Sequence, residues 1–308
     1  MQVYLPIAEL PVNVFLLLGI GAAVGFVSGM FGIGGGFLMT PMLIFIGIPS
    51  AVVVASQAPQ IAASSLTGAL SYWRKRAVDG RLAGVLIAGG LVGTQLGVMF
   101  FNAMREQGHL ESVIVMSYVV LLGGIGLLML AESIRATMSA RKGAQRPRRR
   151  FGEHPWYEGL PLKMRFPRSG RYFSVIPLAL LALCVGFAGA VLGIGGGFIM
   201  VPALIYLFRI PTQVVVGTSL VQILFSMIAA TLLHATTNYS VDAILALALI
   251  VGGVFGAQFG ARAGANLRGE YFRLLLALML FGVAARFAID ILQRPDDPFS
   301  ATKTETYR

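Results

Sequence analysis

Apolar residues run through this chain in long blocks, and the breaks between the blocks predict its helices. In the first half the runs place helices at 12–31, 36–48, 50–72, 82–104 and 113–133. In the second half they place them at 175–192, 197–208, 212–234, 242–264 and 271–292. Several blocks reach about 20 residues, enough to cross a hydrocarbon core of roughly 30 Å at 1.5 Å per residue. The pieces at 36–48 and 197–208 are too short for that, and each follows directly on Gly-Ile-Gly-Gly-Gly. Each glycine costs a continuous helix about 1 kcal/mol against alanine. The pattern therefore predicts a helix that enters, breaks at the glycines, and turns back or continues at an angle.

The two breaks belong to one duplicated segment. Gly25 to Pro41 recurs as Gly186 to Pro202, with Gly32-Ile33-Gly34-Gly35-Gly36-Phe37 matching Gly193-Ile194-Gly195-Gly196-Gly197-Phe198. Pro49 matches Pro211, and Gly89-Gly90 and Gln95 match Gly252-Gly253 and Gln258. The offset drifts from 161 to 163, as loop insertions after duplication would leave it. The chain divides into a first membrane repeat (1–133), a basic loop (134–174), a second repeat (175–293) and a polar tail (294–308).

Composition agrees with a membrane bundle and removes several alternatives. Of 308 residues 56% are hydrophobic and 12% charged, against about 25% charged in soluble domains. The net charge of +11 is concentrated in the loop, with Arg141, Lys142, Arg146, Arg148, Arg149, Arg150, Lys163, Arg165, Arg168 and Arg171. Basic loops flanking spans mark the cytoplasmic face and face anionic headgroups. No soluble domain remains to carry nucleic-acid binding. The N-terminal stretch to Pro11 has no Lys or Arg, so it does not read as a cleavable signal and the first span is expected to be retained. The single cysteine, Cys184, falls inside an apolar run and reads as a small packed residue.

Loop charge also predicts orientation. Arg74, Lys75, Arg76 and Arg81 put the loop near residue 77 in the cytoplasm, whereas its counterpart Ala235–Val241 has no Lys or Arg. Equivalent loops on opposite sides make the repeats inverted, each a re-entrant pair plus three spans, with both termini outside. The expected fold is an all-α polytopic bundle of two inverted repeats, each with a Gly-rich broken helix pair.

The chemistry offered inside the spans is neutral. Irregular backbone at membrane depth is either packed in protein or lines a wet cavity. The short helices starting at Phe37 and Phe198 would turn their N–H groups and positive dipole ends toward the break, which suits an anion. Close helix packing is the competing use of such glycines. Ser56, Gln57 and Gln60, with counterparts Thr218, Ser219 and Gln222, share helix faces and are candidate substrate contacts. With them stand Gly34, Gly35, Gly36, Phe37, Gly195, Gly196, Gly197 and Phe198. Gln95 and Gln258 read as packing groups, and Glu132 and Asp290 as solvated helix-end residues. His234 and Asp242 flank the outer loop, with Asp79 their counterpart, as possible proton carriers. Nothing here reads as a catalytic dyad, a metal-ligand cluster, a cofactor site or a Walker loop, and Gly32-Ile33-Gly34 has Phe37 where a dinucleotide fingerprint needs its third glycine.

The paired Gly-x-Gly-Gly-Gly-Phe segments with Pro41 and Pro202, and the Ile-Pro turns at 49 and 211, resemble the TauE/SafE family of sulfite-exporter-type permeases. The resemblance covers roughly 20–105 and 180–270. It implies a bacterial inner-membrane permease exporting sulfite, sulfoacetate or a related organosulfur anion. The basic loop is longer and richer in Arg than that family leads one to expect. The expected function is secondary transport of a small anion, with a passive anion channel of the same fold, a transporter of another solute, or an intramembrane enzyme or accessory subunit as alternatives.

Overall fold

The apolar runs form helices close to their predicted bounds in a computed structural model of the chain, which describes residues 2–31, 35–141, 162–167, 171–208, 210–264 and 269–292. The first half contains α1 (Val14–Phe31), α2 (Gly36–Phe45), α3 (Ser50–Arg74), α4 (Gly80–Glu106) and α5 (Leu110–Arg141). The second contains α6 (Val175–Leu192), α7 (Gly197–Tyr206), α8 (Thr212–Leu233) with a π-helical turn His234–Asn238, α9 (Ala243–Gly264) and α10 (Gly269–Leu292). The run of basic residues from Lys142 to Arg150, Gly34 in the first break and the 294–308 tail lie outside the described residues.

Five of these helices are long and apolar enough to cross a membrane among the described residues: α4, α5, α6, α9, and α8 with its π turn. The protein is thus an all-α, multi-pass membrane bundle. At 25 residues α3 has the length but not the hydropathy, because Ser, Thr and Gln recur along it. It is sheltered by the helices around it.

Helices of one half pack on helices of the other. α1 lies parallel to α9 through Gly21, Gly25 and Gly29 against Gly252, Gly253 and Ala257. α6 lies parallel to α4 in the repeat-related way, with Gly89 against Ala179, Gly93 against Leu183 and Gly97 against Phe187. Small residues let the backbones touch, the usual means of holding helices together where lipid removes a hydrophobic drive. At the centre α3 and α8 cross antiparallel: Gly217 near the start of α8 meets Ala77 beyond the end of α3, and Gly195 meets Ile61 and Ile223. α5 and α10 also run antiparallel, through Gly123 with Ala284 and Gly126 with Leu280.

Three features differ from the sequence-based expectations. A hairpin precedes each half, β1 (Gln2–Leu5) with β2 (Leu10–Asn13), and β3 (Lys163–Phe166) with β4 (Arg171–Ser174). Gln2 pairs with Asn13 and Lys163 with Ser174, so the two share the 161 offset of the glycine segments. Each buries its Leu5 or Phe166 and then caps its helix, Asn13 accepting from the Phe15 N–H and Ser174 from the Ile176 N–H. Residues 163–174, expected in the loop, thus belong by position to the second repeat; four-residue strands carry too little hydropathy pattern to be read. Next, α5 continues to Arg141, so Glu132 lies inside a helix and not at its end. Finally, Cys184 is exposed on the outward face of α6. Hydropathy cannot separate a lipid-facing position from a packed one.

Candidate functional site

The two glycine breaks meet at the centre of the bundle. In the second, Gly193, Gly195 and Gly196 take φ of 68°, 70° and 80°. That left-handed backbone strains any residue with a Cβ, which is why glycine is needed there. α7 then starts at Gly197, and α2 starts at Gly36 after Gly35. Their first side chains, Phe37 and Phe198, stack with ring centroids 5.1 Å apart and planes 16° apart. Both rings are buried, so the two helix starts close on each other rather than on open space. A Cβ on Gly36 would lie 2.6 Å from the Gly193 carbonyl oxygen, so the breaks also touch through backbone.

Around this crossing the polar groups fall into three arrangements. First, Gln57 on α3 ties the two breaks together. With its amide nitrogen turned to α6 it donates to the Gly193 carbonyl at 2.9 Å and to Thr40 Oγ1 at 2.8 Å, while its oxygen accepts from the Thr40 N–H at 2.6 Å. This orientation is the one that pairs every group. Thr40 Oγ1 also reaches the Leu192 carbonyl at 3.2 Å, to which the Tyr118 hydroxyl donates at 2.8 Å. Sequence reading missed Thr40 and Tyr118, whose roles come only from the helices packed against them.

Second, Ser56 and Thr218 lie one helical turn before Gln60 and Gln222, on opposite sides of the crossing because α3 and α8 run antiparallel. Ser56 Oγ accepts from the Asp242 N–H at 2.8 Å, and Thr218 Oγ1 accepts from the Asp79 N–H at 3.2 Å. Each aspartate is buried and caps its own helix, Asp79 accepting from Arg81 and Leu82 and Asp242 from Ile244 and Leu245. Carboxylates at helix N-termini satisfy N–H groups that the helix leaves free. Asp242 Oδ2 accepts as well from the Ile7 N–H, docking the first hairpin.

Third, Gln60 and Gln222 are buried and face glycines of the other half. A Cβ on Gly253 would lie 2.8 Å from Gln60 Nε2, and one on Gly90 2.6 Å from Gln222 Nε2. Gln222 Nε2 donates to Ser226 Oγ at 2.9 Å. Both glutamine carbonyl oxygens, together with Ser219 Oγ and Thr94 Oγ1, are buried without a hydrogen-bond partner among the described residues. Such groups cost about 1–3 kcal/mol each unless something pairs them. With Asn102 Oδ1 they are the buried side-chain atoms without a partner among the described residues, and so have capacity left for a ligand. Gln95 and Gln258 are exposed on their helices.

His234 lies at the C-terminal end of α8, buried against the Phe101 ring at 4.8 Å. Its Nε2 faces the Ala190 carbonyl at 3.2 Å and its Nδ1 the Asn238 side-chain nitrogen at 2.9 Å. An acceptor on one side and a donor on the other call for the neutral Nε2–H tautomer. Arg105 fastens the same turn, donating to the Asn238 carbonyl at 2.9 Å and to Ser240 Oγ at 2.7 Å. At the opposite end, Trp73, Arg74, Arg76 and Arg81 line a basic cavity of about 680 Å³ that Pro167 of the second hairpin borders.

A duplicated helical bundle, with broken helices meeting at its centre and unpaired neutral polar groups beside them, has the architecture of a multi-pass membrane transporter. The family described as Sulfite exporter TauE/SafE matches residues 17–287, and the chain belongs to that family. It is similar to the probable membrane transporter protein YunE of Bacillus subtilis, 26% identical over 86% of this chain and 93% of that protein. It is also similar to a probable membrane transporter protein of Xylella fastidiosa (strain 9a5c), 28% identical over 80% of this chain and 84% of that one. The probable membrane transporter protein MJ0441 of Methanocaldococcus jannaschii is 22% identical over 89% and 94%. No solved structure matches the chain.

Proposed function

We propose that this protein is a secondary transporter for a small anion, and that it exports sulfite, sulfoacetate or a related organosulfur anion across a bacterial inner membrane. The observation that carries the reading is the meeting of two glycine-started helices, α2 and α7, at Phe37 and Phe198. Two positive helix ends then converge where the halves cross, in a region whose side chains are neutral. Among the described residues the buried carboxylates are Asp79 and Asp242, both engaged as caps of their own helices. An anion held by N–H dipoles and amides, with no fixed cation, can be released again; a buried lysine or arginine would hold it longer.

The antiparallel crossings of α3 with α8 and of α5 with α10 support reading the halves as inverted repeats. Gln60 and Gln222 would then be the same contact presented from opposite sides, each amide offering N–H to an oxyanion after rotation. Ser219 and Thr94 supply further hydroxyls. Anionic headgroups are the expected neighbours of the basic loop.

The test is uptake into proteoliposomes of labelled sulfite, sulfoacetate and thiosulfate, with phosphate and acetate for contrast. Saturable uptake of a sulfur anion with counterflow is the expected result. Movement of none of the three above background would overturn the substrate assignment. Conductance steps in a planar bilayer would instead favour a channel, against which the tight stacking of Phe37 on Phe198 argues.

A further inference from the structure

A second space, largely apolar with hydroxyls along one wall, lies beyond Gln60 toward the end of α3 that loop charge predicts to be cytoplasmic, between α1, α3, α8 and α9. It is a cavity of about 340 Å³, and six hydroxyls line it: Ser28, Ser64, Ser65, Thr67, Ser71 and Tyr72. No Lys, Arg, Asp or Glu does so. Ser64 and Thr67 donate to carbonyls of their own helix at 3.0 and 3.1 Å. Ser65 is 3% exposed. Its hydroxyl, and those of Ser71 and Tyr72, have no protein partner among the described residues. At 1.5 Å per residue Ser64 stands roughly 15 Å along α3 from Arg74. The cavity therefore reaches from mid-bundle to the end of α3, where the Arg74, Arg76 and Arg81 cavity begins.

The repeat-related space at the outer side is built differently. By the 161–162 offset Ser28 becomes Gly189, Ser65 becomes Met227, Gly68 becomes Ala230, Ser71 becomes Leu233 and Tyr72 becomes His234. Met227 is 1% exposed, and its Cε sits 3.2 Å from where a Gly189 Cβ would be, occupying the volume that Ser65 leaves open on the other side. Met227 and Ala230 join Ile223, Ala58, Ile61 and Ala62 in a closed apolar cluster. His234 seals its end through Ala190 and Phe101. One frame is thus open and hydroxylated toward the basic face and filled toward the other.

We propose that the hydroxyl cavity is the loading site for an oxyanion arriving from the cytoplasm, and that Met227 and His234 form the closed outer gate. The inference rests on the transport reading above and adds where the anion is loaded and what closes the opposite side. Arginines at the mouth raise the local anion concentration, and hydroxyls inside donate to its oxygens while adding no counter-charge.

Thiol access tests this without any transport assay. In the full chain with Cys184→Ser, Ser65→Cys and Ser71→Cys are exposed to a charged, membrane-impermeant methanethiosulfonate in inside-out and right-side-out vesicles. Both should react at least tenfold faster from the cytoplasmic side, and sulfoacetate, but not gluconate, should slow them. Ala230→Cys should stay unreactive from outside and become reactive when Met227→Ala is added. Equal or absent reaction at Ser65→Cys from the cytoplasmic side would overturn the loading site. Lack of sulfoacetate protection would overturn its oxyanion chemistry. Reaction of Ala230→Cys from outside with Met227 intact would overturn the gate. A protein that labels as expected yet moves no anion leaves the cavity standing and removes the transport reading instead.

Discussion

α3 and α8 hold the same place in the two repeats and cross at the centre, yet they are made of different material. α3 carries Gln57, Gln60, Ser64, Ser65, Thr67 and Ser71, and is too polar to qualify as a span. α8 has Ser219, Gln222, Ser226, Met227, Ala229 and Leu233 at the matching positions and does qualify. The polar groups that match are also used differently. Gln57 is fully paired to Thr40 and Gly193, whereas its counterpart Ser219 has no partner among the described residues, because Val201 stands where Thr40 would. Duplication supplied a symmetric frame of glycine crossings, and divergence of the two central helices made one side wet and the other dry. Function in such a bundle is carried where the copies differ and by the few polar pairs they still share.

Breaking the frame itself should have the largest effect. Gly93 and Gly256 are repeat equivalents, and a Cβ at either would collide with backbone, at Leu183 and at Ala22. Gly93→Leu and Gly256→Leu should each abolish folded protein, seen as loss of the monodisperse peak in detergent. Equal loss in both would confirm that the crossings are equivalent, and a folded Gly256→Leu would show that the second crossing is dispensable.

Next come the shared glutamines. Gln60→Ala removes an amide whose oxygen has no partner among the described residues, and Gln222→Ala also breaks the bond to Ser226. A modest loss of thermal stability from each void is therefore expected, larger for Gln222→Ala. Transport should fall at least tenfold, about 1.4 kcal/mol of lost differential binding. Loss in only one variant would mean that the site is confined to one half. Neither would lose transport if the amides serve packing alone.

Gln57→Ala and Ser219→Ala sharpen the contrast between the halves. The first strands the Gly193 carbonyl and the Thr40 hydroxyl in the interior and leaves a void. About 2 kcal/mol of destabilisation is expected, read as a drop of several degrees in melting temperature. The second deletes a hydroxyl that bonds nothing, so stability should stay within about 0.5 kcal/mol. Comparable losses would show that Ser219 is paired after all.

Much of the frame was legible in the sequence because hydropathy and a 161-residue repeat are periodic signals. All ten helices, both breaks and the pairing of Gln60 with Gln222 follow from them. The roles of individual polar residues were not legible. Ser56 and Thr218 align with Gln60 and Gln222 on a helix face, yet they meet aspartates more than a hundred residues away. Thr40 and Thr94 gain their importance only from helices that fold beside them. The hydroxyls of α3 below Gln60 were visible as letters, but a cavity is a property of what the opposite helix lacks. Leu220 packs against Gly68 with no space for a Cβ, and no linear pattern states that.

The smallest effect, and the one that separates a structural hydroxyl from a substrate contact, belongs to Ser56 and Thr218. Each accepts the buried N–H of an aspartate that itself caps α9 or α4, so each joins the start of one half's helix to the other half. Ser56→Ala and Thr218→Val remove the acceptor but leave the carboxylate caps in place. Hydrogen bonds of this kind in membranes average about 0.6 kcal/mol, which predicts a fall of one or two degrees in melting temperature. The contact at Ser56, 2.8 Å against 3.2 Å, should cost slightly more. Thr218→Ser should restore stability, because it keeps the hydroxyl. Half-saturation for the transported anion should not move in any of the three, since each hydroxyl is already engaged by the backbone N–H of an aspartate of the other half. A rise in half-saturation with unchanged melting would place them in the anion's path and make the aspartate contacts incidental.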